Sequence, residues 1–388
     1  MFSGRTRFDL RPNRLAAALE AKRASGARVF DLTQSNPTRA GLAPPTDVLL
    51  GLADPVGRLY EPAPQGLRST REAVSRDYAR RGVAVPPERI LLTASTSEAY
   101  AFLFKLLCDP GDEVLVPRPG YPLFDFLAGL ESVHTRSYAL AYDGEWHLDL
   151  SALRAAVTSR TRAVVVVNPA NPTGQYLKSH ELAGLVELCA ERHLALVGDE
   201  VFADYGWGED PRRVTSLAGD GPALAFSLGG LSKSCGLPQL KLAWIAVCGP
   251  ATRRTEALAR LELVADTFLS VSTPVQVAAP SLLHRLPELQ APIRARLRQN
   301  RDALAAVVRA PSPSTLLASE GGWYAVLQVP ATLSEEEITL RLLEHHDVLV
   351  HPGYFFDFPR EAFLVLSLLP PPEDFAVGVR HLVDGLVL

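Results

Sequence analysis

Two lysines stand inside one glycine-rich window, Phe226 to Trp244, which reads Phe-Ser-Leu-Gly-Gly-Leu-Ser-Lys-Ser-Cys-Gly-Leu-Pro-Gln-Leu-Lys-Leu-Ala-Trp. They are Lys233 and Lys241, and of the chain's 39 lysines and arginines only five are lysines. Arginine is the default cation here, so two lysines in one turn point to chemistry that arginine cannot do. A desolvated ε-amine can lose its proton and attack a carbonyl to form a Schiff base; a guanidinium cannot. The alternative for Lys233 is an ordinary surface-loop lysine.

Other reactive groups follow strand-like runs. Thr93-Ala94-Ser95-Thr96-Ser97-Glu98 sets small hydroxyl residues at the start of a helical pattern. Free backbone N–H groups and the helix dipole there favour a phosphate, although the same residues would also serve as a plain helix cap. Pro117-Arg118-Pro119-Gly120-Tyr121 offers an aromatic ring, and Asn168-Pro169-Ala170-Asn171-Pro172-Thr173-Gly174 a rigid turn with two amides. Gly198-Asp199-Glu200 places an acid at the end of an apolar run.

These residues need a scaffold that brings them together. Strands are predicted over 89–92, 113–116, 135–139, 163–167, 194–197, 223–227 and 242–247. Helices are predicted over 97–107, 121–130, 150–157 and 179–193, the last capped by Ser179. The valine-rich run Ala163 to Val167 reads as a strand buried on both faces. This βαβα rhythm predicts an α/β fold with a mostly parallel sheet covered on both sides. In such sheets ligands bind beyond the carboxyl ends of the strands.

The last third changes character. Long helical segments run from Pro274 to Val308, a strand covers 323–329, and Ser334-Glu335-Glu336-Glu337 opens a helix with a capping box. Strands over 348–351 and 363–369 and a closing helix over 373–386 follow. This succession predicts a smaller α+β domain to which the N-terminal segment returns. The expected division is 46–275 for the large domain and 1–45 with 276–388 for the small one.

On one sheet edge the candidate residues form a phosphate cradle, a ring stacker, an amide, a buried acid and an amine. That set matches pyridoxal 5′-phosphate, which needs a lysine for its aldehyde, a carboxylate for its pyridine nitrogen and an anion site for its phosphate. Asn-Pro-x-Asn-Pro-Thr-Gly, then Asp-Glu, then Ser-Lys-x-x-Gly-Leu-Pro resembles the fold-type I pyridoxal-phosphate enzymes. Within them it is most similar to the class I/II aminotransferase family, over roughly residues 30 to 385. The resemblance implies an aspartate-aminotransferase-like fold and transfer of an amino group between an amino acid and a 2-oxo acid. It also implies the residue roles. Lys233 would form the Schiff base and carry the proton, Asp199 would pair with the pyridinium nitrogen, and Asn171 would hydrogen-bond the ring hydroxyl. Tyr121 would stack on the ring, and Ser95, Thr96 and Ser97 match the phosphate-binding turn. Lys241 stands where the family usually has a phosphate-binding arginine. Tyr60, in Tyr-Glu-Pro-Ala-Pro-Gln-Gly-Leu-Arg, matches a tyrosine that reaches the neighbouring subunit's phosphate, so a homodimer is implied.

The chain departs from the family at several positions. Phe202 stands where a tyrosine is common, which removes a hydrogen bond to the charged form of the cofactor and should raise the imine pKa. Gly230 replaces a frequent serine, and Lys241 gives a point charge in place of arginine's fork. Ser35 replaces a usual glycine. Val365, in Phe363-Leu364-Val365-Leu366-Ser367, takes the place of the arginine that holds the substrate's α-carboxylate. Arg39, Arg118 and Arg360 are candidate replacements, each with the alternative of a surface arginine. The missing arginine keeps open a pyridoxal-phosphate lyase, decarboxylase or cyclising synthase. The apolar run His351 to Phe356, with Trp323 and Tyr324, is either pocket wall or core of the small domain.

Bulk properties narrow the rest. A net charge of -4 and a pI near 6.2 give no electrostatic footprint for nucleic acid or an anionic membrane. Met1 to Leu10 has no apolar run of the secretory kind, and no apolar stretch approaches the ~20 residues that span a bilayer. The four cysteines lack metal-ligand spacing, so reduced thiols in the cytoplasm and no metal are expected. Cys235 reads as a small packing residue.

Overall fold

The computed structural model describes residues 1–309 and 312–386. Residues 310, 311, 387 and 388, which belong to the expected small domain, lie outside the described residues. An eight-stranded sheet organises the larger part. Across it the strands run Ile90–Thr93, Ala243–Cys248, Ala225–Gly230, Ala195–Asp199, Thr161–Val167, Glu113–Arg118, His134–Tyr142 and Trp146–Leu148. The five from Ala225–Gly230 to His134–Tyr142 are mutually parallel. Ala243–Cys248 runs antiparallel between its two neighbours, and Trp146–Leu148 is antiparallel at the far edge.

Alternation along the strands fills two core layers, as strands buried on both faces require. Leu91, Val114, Val165, Val197, Phe226 and Ile245 point to one side, where Thr96–Leu107, Phe124–Leu130 and Ala251–Phe268 cover them. Leu92, Leu115, Val164, Leu196, Trp244 and Ala246 point to the other, towards Arg68–Arg80, Ser179–Arg192 and Thr273–His284.

The register sets the site. Val167 pairs with Asp199, and Asp199 with Leu228, so three parallel strands finish almost level. Ala243 pairs with both Thr93 and Gly230, which brings the turns after those two strands to the same edge. The predicted strand over 223–227 in fact runs on to Gly230. Its two glycines are strand residues under close packing: a Cβ at Gly229 would lie 2.7 Å from the Trp244 indole, and one at Gly230 2.9 Å from Ala243 Cβ. Ser179 is the first helical residue rather than the cap; the Glu181 carboxylate accepts the Lys178 N–H at 2.6 Å.

The smaller part holds a four-stranded antiparallel sheet in the order Thr315–Leu316, Tyr324–Gln328, Phe363–Ser367, His351–Pro352. Leu286–Arg309 and Pro372–Leu386 pack with each other beside it, and the predicted capping box opens Glu335–His346. The N-terminal segment does return here, with Phe30–Asp31 pairing in parallel with Val348–Leu349. The helices Arg14–Ala24, Arg68–Arg80 and Ala251–Phe268 are additional to those the sequence predicts. Among the described residues no helix is long and apolar enough to cross a membrane, and no group of three metal-ligating side chains occurs.

Candidate active site

A cavity of about 250 Å³ opens at the level strand ends. Ser95, Thr96, Ser97, Tyr121, Asn171, Asp199, Lys233 and Lys241 all line it. Tyr60 does not; it is 71% exposed on the outside of the chain.

One end of the cavity is built for an anion. Ser95 caps Thr96–Leu107, its Oγ accepting the Glu98 N–H at 3.1 Å. The Glu98 carboxylate turns back to accept the Ala94 N–H at 2.6 Å and the Ser270 hydroxyl at 2.5 Å. The first-turn N–H groups of Thr96 and Ser97 have no helical acceptor; both residues line the cavity, at the positive end of the helix dipole. Lys241, exposed and in the left-handed region at φ 53°, adds its charge from the turn after Pro238–Leu240.

Asp199 ends its strand fully inside the protein. The Tyr100 phenol donates to its Oδ2 at 3.1 Å and the Val201 N–H to its Oδ1 at 3.2 Å. Burial dominates and raises its pKa to about 6, against the lowering effect of those bonds and of Lys233. Tyr100 was missed in the sequence. It lies one helical turn beyond Thr96, on the same face, and reads there as one more core aromatic. Tyr121 lines the cavity next to Phe124, ring centroids 5.5 Å apart, and burial holds its phenol neutral, at about 12.

Lys233 lies in the short helix Leu231–Ser234 directly after Gly230. Desolvation pushes its amine down to about 8, with Asp199 pulling the other way. Among the described residues its Nζ has neither a hydrogen-bond acceptor nor a carboxylate within ion-pair distance. Cys235 behind it is buried, and its thiol is pushed up to about 12, so it is a packing residue there.

The two amides of the 168–174 turn divide sharply. Asn168 is spent on structure: its Nδ2 donates to the Val214 carbonyl at 3.0 Å and its Oδ1 accepts the Leu177 N–H at 2.9 Å. Asn171 lines the cavity, and its Oδ1 is buried without a partner.

The departures also find their places. Phe202 and Gly230 both line the cavity. A serine at Gly230 would crowd Ala243, which accounts for the glycine. Val365 is completely buried in its strand, paired with Val326 and His351. None of the three candidate arginines lines the cavity. Arg39 is exposed, Arg118 is paired with Asp125 and Asp357, and Arg360 lies over the Phe363 ring. Of the aromatic residues in question, Tyr324 is cavity wall and Trp323 is wholly buried beside it. The 351–356 run does not line the cavity, although Phe356 packs against Tyr324.

The model of aminotransferase classes I and II matches residues 28–381. The chain belongs to the class I and II aminotransferases. Alanine aminotransferase of Mycobacterium tuberculosis is 29% identical over 391 residues, covering 96% of this chain and 88% of that protein. Glutamate-pyruvate aminotransferase AlaA of Escherichia coli is 27% identical, covering 93% of this chain and 91% of that protein. Among solved structures, alanine aminotransferase from Pyrococcus furiosus superposes with a TM-score of 0.90 at 23% identity, over 99% of both chains. A Thermus thermophilus aspartate aminotransferase mutant gives 0.86 at 23% identity over the whole of both chains. These two likenesses establish the fold. This aminotransferase therefore depends on pyridoxal phosphate and moves an amino group between an amino acid and a 2-oxo acid. These relatives do not favour the lyase, decarboxylase or synthase alternative. The residues present fit the cofactor: the orphaned amide of Asn171 suits a ring hydroxyl, and the free amides of Thr96 and Ser97 suit a phosphate.

Proposed function

We propose that the cavity holds pyridoxal phosphate with Lys233 as its covalent anchor and proton carrier. Asp199 would meet the ring nitrogen, Asn171 the ring hydroxyl and Tyr121 the ring face. Ser95, Thr96, Ser97 and Lys241 would surround the phosphate. One observation carries this reading: an amine, an acid and an amide from three level turns face one space, and among the described residues the amine and the amide oxygen lack hydrogen-bond partners. When bound, the cofactor supplies an electron sink for the substrate's α-carbon. The chain's own residues do the rest. Near pH 8 Lys233 is divided between amine and ammonium, the condition under which a group best takes and returns a proton. Tyr100 fixes the carboxylate of Asp199 from behind.

We infer a small apolar amino donor, alanine first, with pyruvate as its oxo product. The alanine and glutamate-pyruvate aminotransferases among the relatives support this. So does an apolar wall of Val167, Val201 and Phe202. Among the described residues no arginine lines the cavity, and the Tyr324 phenol, beside Ser35, is the neutral donor proposed to meet the substrate's carboxylate. Alanine alone is expected to convert the bound cofactor to its amine form, seen by absorbance, and pyruvate to restore it. Failure of every amino donor to do so would end this reading. Pyruvate and ammonia released from a cysteine-type substrate without an oxo acceptor would point to the lyase.

We also propose a homodimer in the cytoplasm, each chain divided into a large unit, 46–275, and a small unit, 1–45 with 276–388. The helix Thr273–His284 straddles that division and packs on Arg68–Arg80. Four free cysteines support the compartment. The dimer is supported by Leu50, Val56, Leu59 and Tyr60, all more than 60% exposed. If Tyr60 completes the partner's site, Tyr60→Ala and Lys233→Ala chains will complement. Unfolding and refolding them together should restore one intact site per mixed dimer and measurable activity. Activity no greater than the average of the two parents would remove Tyr60 from the site.

A further inference from the structure

The Lys233 amine ends against two aromatic rings. Its Nζ lies 4.9 Å from the ring centroid of Trp323 and 5.7 Å from that of Phe202. The two rings brace each other edge to face with centroids 5.3 Å apart, and Tyr205 backs Trp323 at 5.2 Å. The Tyr205 phenol also donates to the Lys233 carbonyl at 2.7 Å. One aromatic cluster therefore holds both the backbone and the side chain of this lysine, and Trp323 is wholly buried within it.

We propose that Trp323 and Phe202 form an aromatic seat for the protonated amine of Lys233, with Trp323 as a positioning residue that sets how readily the free amine keeps its proton. The proposal rests on Lys233 being the reactive amine. A cation over an aromatic face is held by the ring quadrupole, and most strongly when desolvated; a neutral amine gains far less. The seat therefore opposes burial, which on its own drives the proton off. It also gives Phe202 a use: the ring that lacks a phenol offers the lysine a face.

Few other groups face this amine. Asp199, at the end of its strand, is the one acid acting on it. Lys241, from the turn that follows, brings a like charge to the cavity wall. Tyr121, Tyr205 and Tyr324 are all kept neutral by burial. Removing the seat should thus leave Asp199 alone to hold the ammonium.

The test is the pH dependence of reductive methylation at Lys233 in the cofactor-free protein, read by mass spectrometry of its peptide. The four other lysines serve as internal standards. Trp323→Leu is expected to lower the midpoint at Lys233 by about one pH unit. Trp323→Phe should keep it within a few tenths, and Phe202→Leu should lower it by a smaller step. An unchanged or raised midpoint in Trp323→Leu, with the other lysines unmoved, would overturn the seat. If Trp323→Leu does not fold, Phe202→Leu decides in the same way. Borohydride reduction of wild-type holoenzyme checks the premise separately. Cofactor fixed to Lys233 with an unmoved midpoint in the variants would sink the seat alone, whereas cofactor fixed elsewhere would sink the premise.

Discussion

Lys233→Met should cost at least about 10³-fold in turnover, while making the cofactor-free protein harder to melt at pH 7. The first effect follows from removing the cavity-wall amine whose proton burial loosens. Lys241 cannot replace it, because it is exposed and stands beside the anion end. The second follows from linkage. In the folded chain the Lys233 amine sits at about 8, below its ordinary 10.5. The unfolded chain therefore holds this proton more tightly, and folding is penalised. The penalty is full below pH 8 and fades as pH rises from 8 to 10.5. Its ceiling is about 3 kcal/mol, less because the side chain is only partly buried. Methionine fills similar space with no charge. The melting temperature of Lys233→Met should thus exceed wild type at pH 7 and converge with it near pH 10.5. Equal melting at pH 7 would mean that the amine is not desolvated.

The other large effect concerns the carboxylate. Asp199→Asn keeps an acceptor for the Tyr100 phenol but removes the negative charge, and it should lower kcat by about 10²–10³-fold. At an effective dielectric near 20 a close charge pair is worth about 4 kcal/mol, which is the size of that loss. A pH signature accompanies it. Burial raises Asp199 to about 6 in the cofactor-free protein, so it must ionise before it can meet a ring cation. Cofactor affinity should therefore weaken as pH falls below about 6 in wild type, and Asp199→Asn should lack that limb. A kcat within tenfold of wild type, or an identical low-pH limb in both proteins, would remove Asp199 from this role.

Much of this site was legible because its residues follow strands. A polar residue at the end of an apolar run has little choice but the sheet's carboxyl edge, and the register brings Val167, Asp199 and Gly230 there together. Partnership was not legible. Asn168 and Asn171 have the same chemistry three residues apart, and only the fold shows one tied to Val214 and Leu177 and the other left open. Tyr100 reads as core and Trp323 as either pocket wall or core, because most of each ring is buried; what matters is where one phenol and one ring face point. The glycine pair looked like a turn because glycine's need for space at Trp244 and Ala243 comes from its register against the next strand, which spacing along the chain does not show. Val365 in place of the arginine the resemblance implies was plain in the sequence, but that no arginine among the described residues lines the cavity was not.

The most direct test of the site is to reduce the cofactor-loaded protein with borohydride, digest it and locate the added mass. The structure predicts one modified peptide carrying the cofactor on Lys233, and none after Lys233→Met. Cofactor on Lys241, or on no lysine, would contradict it.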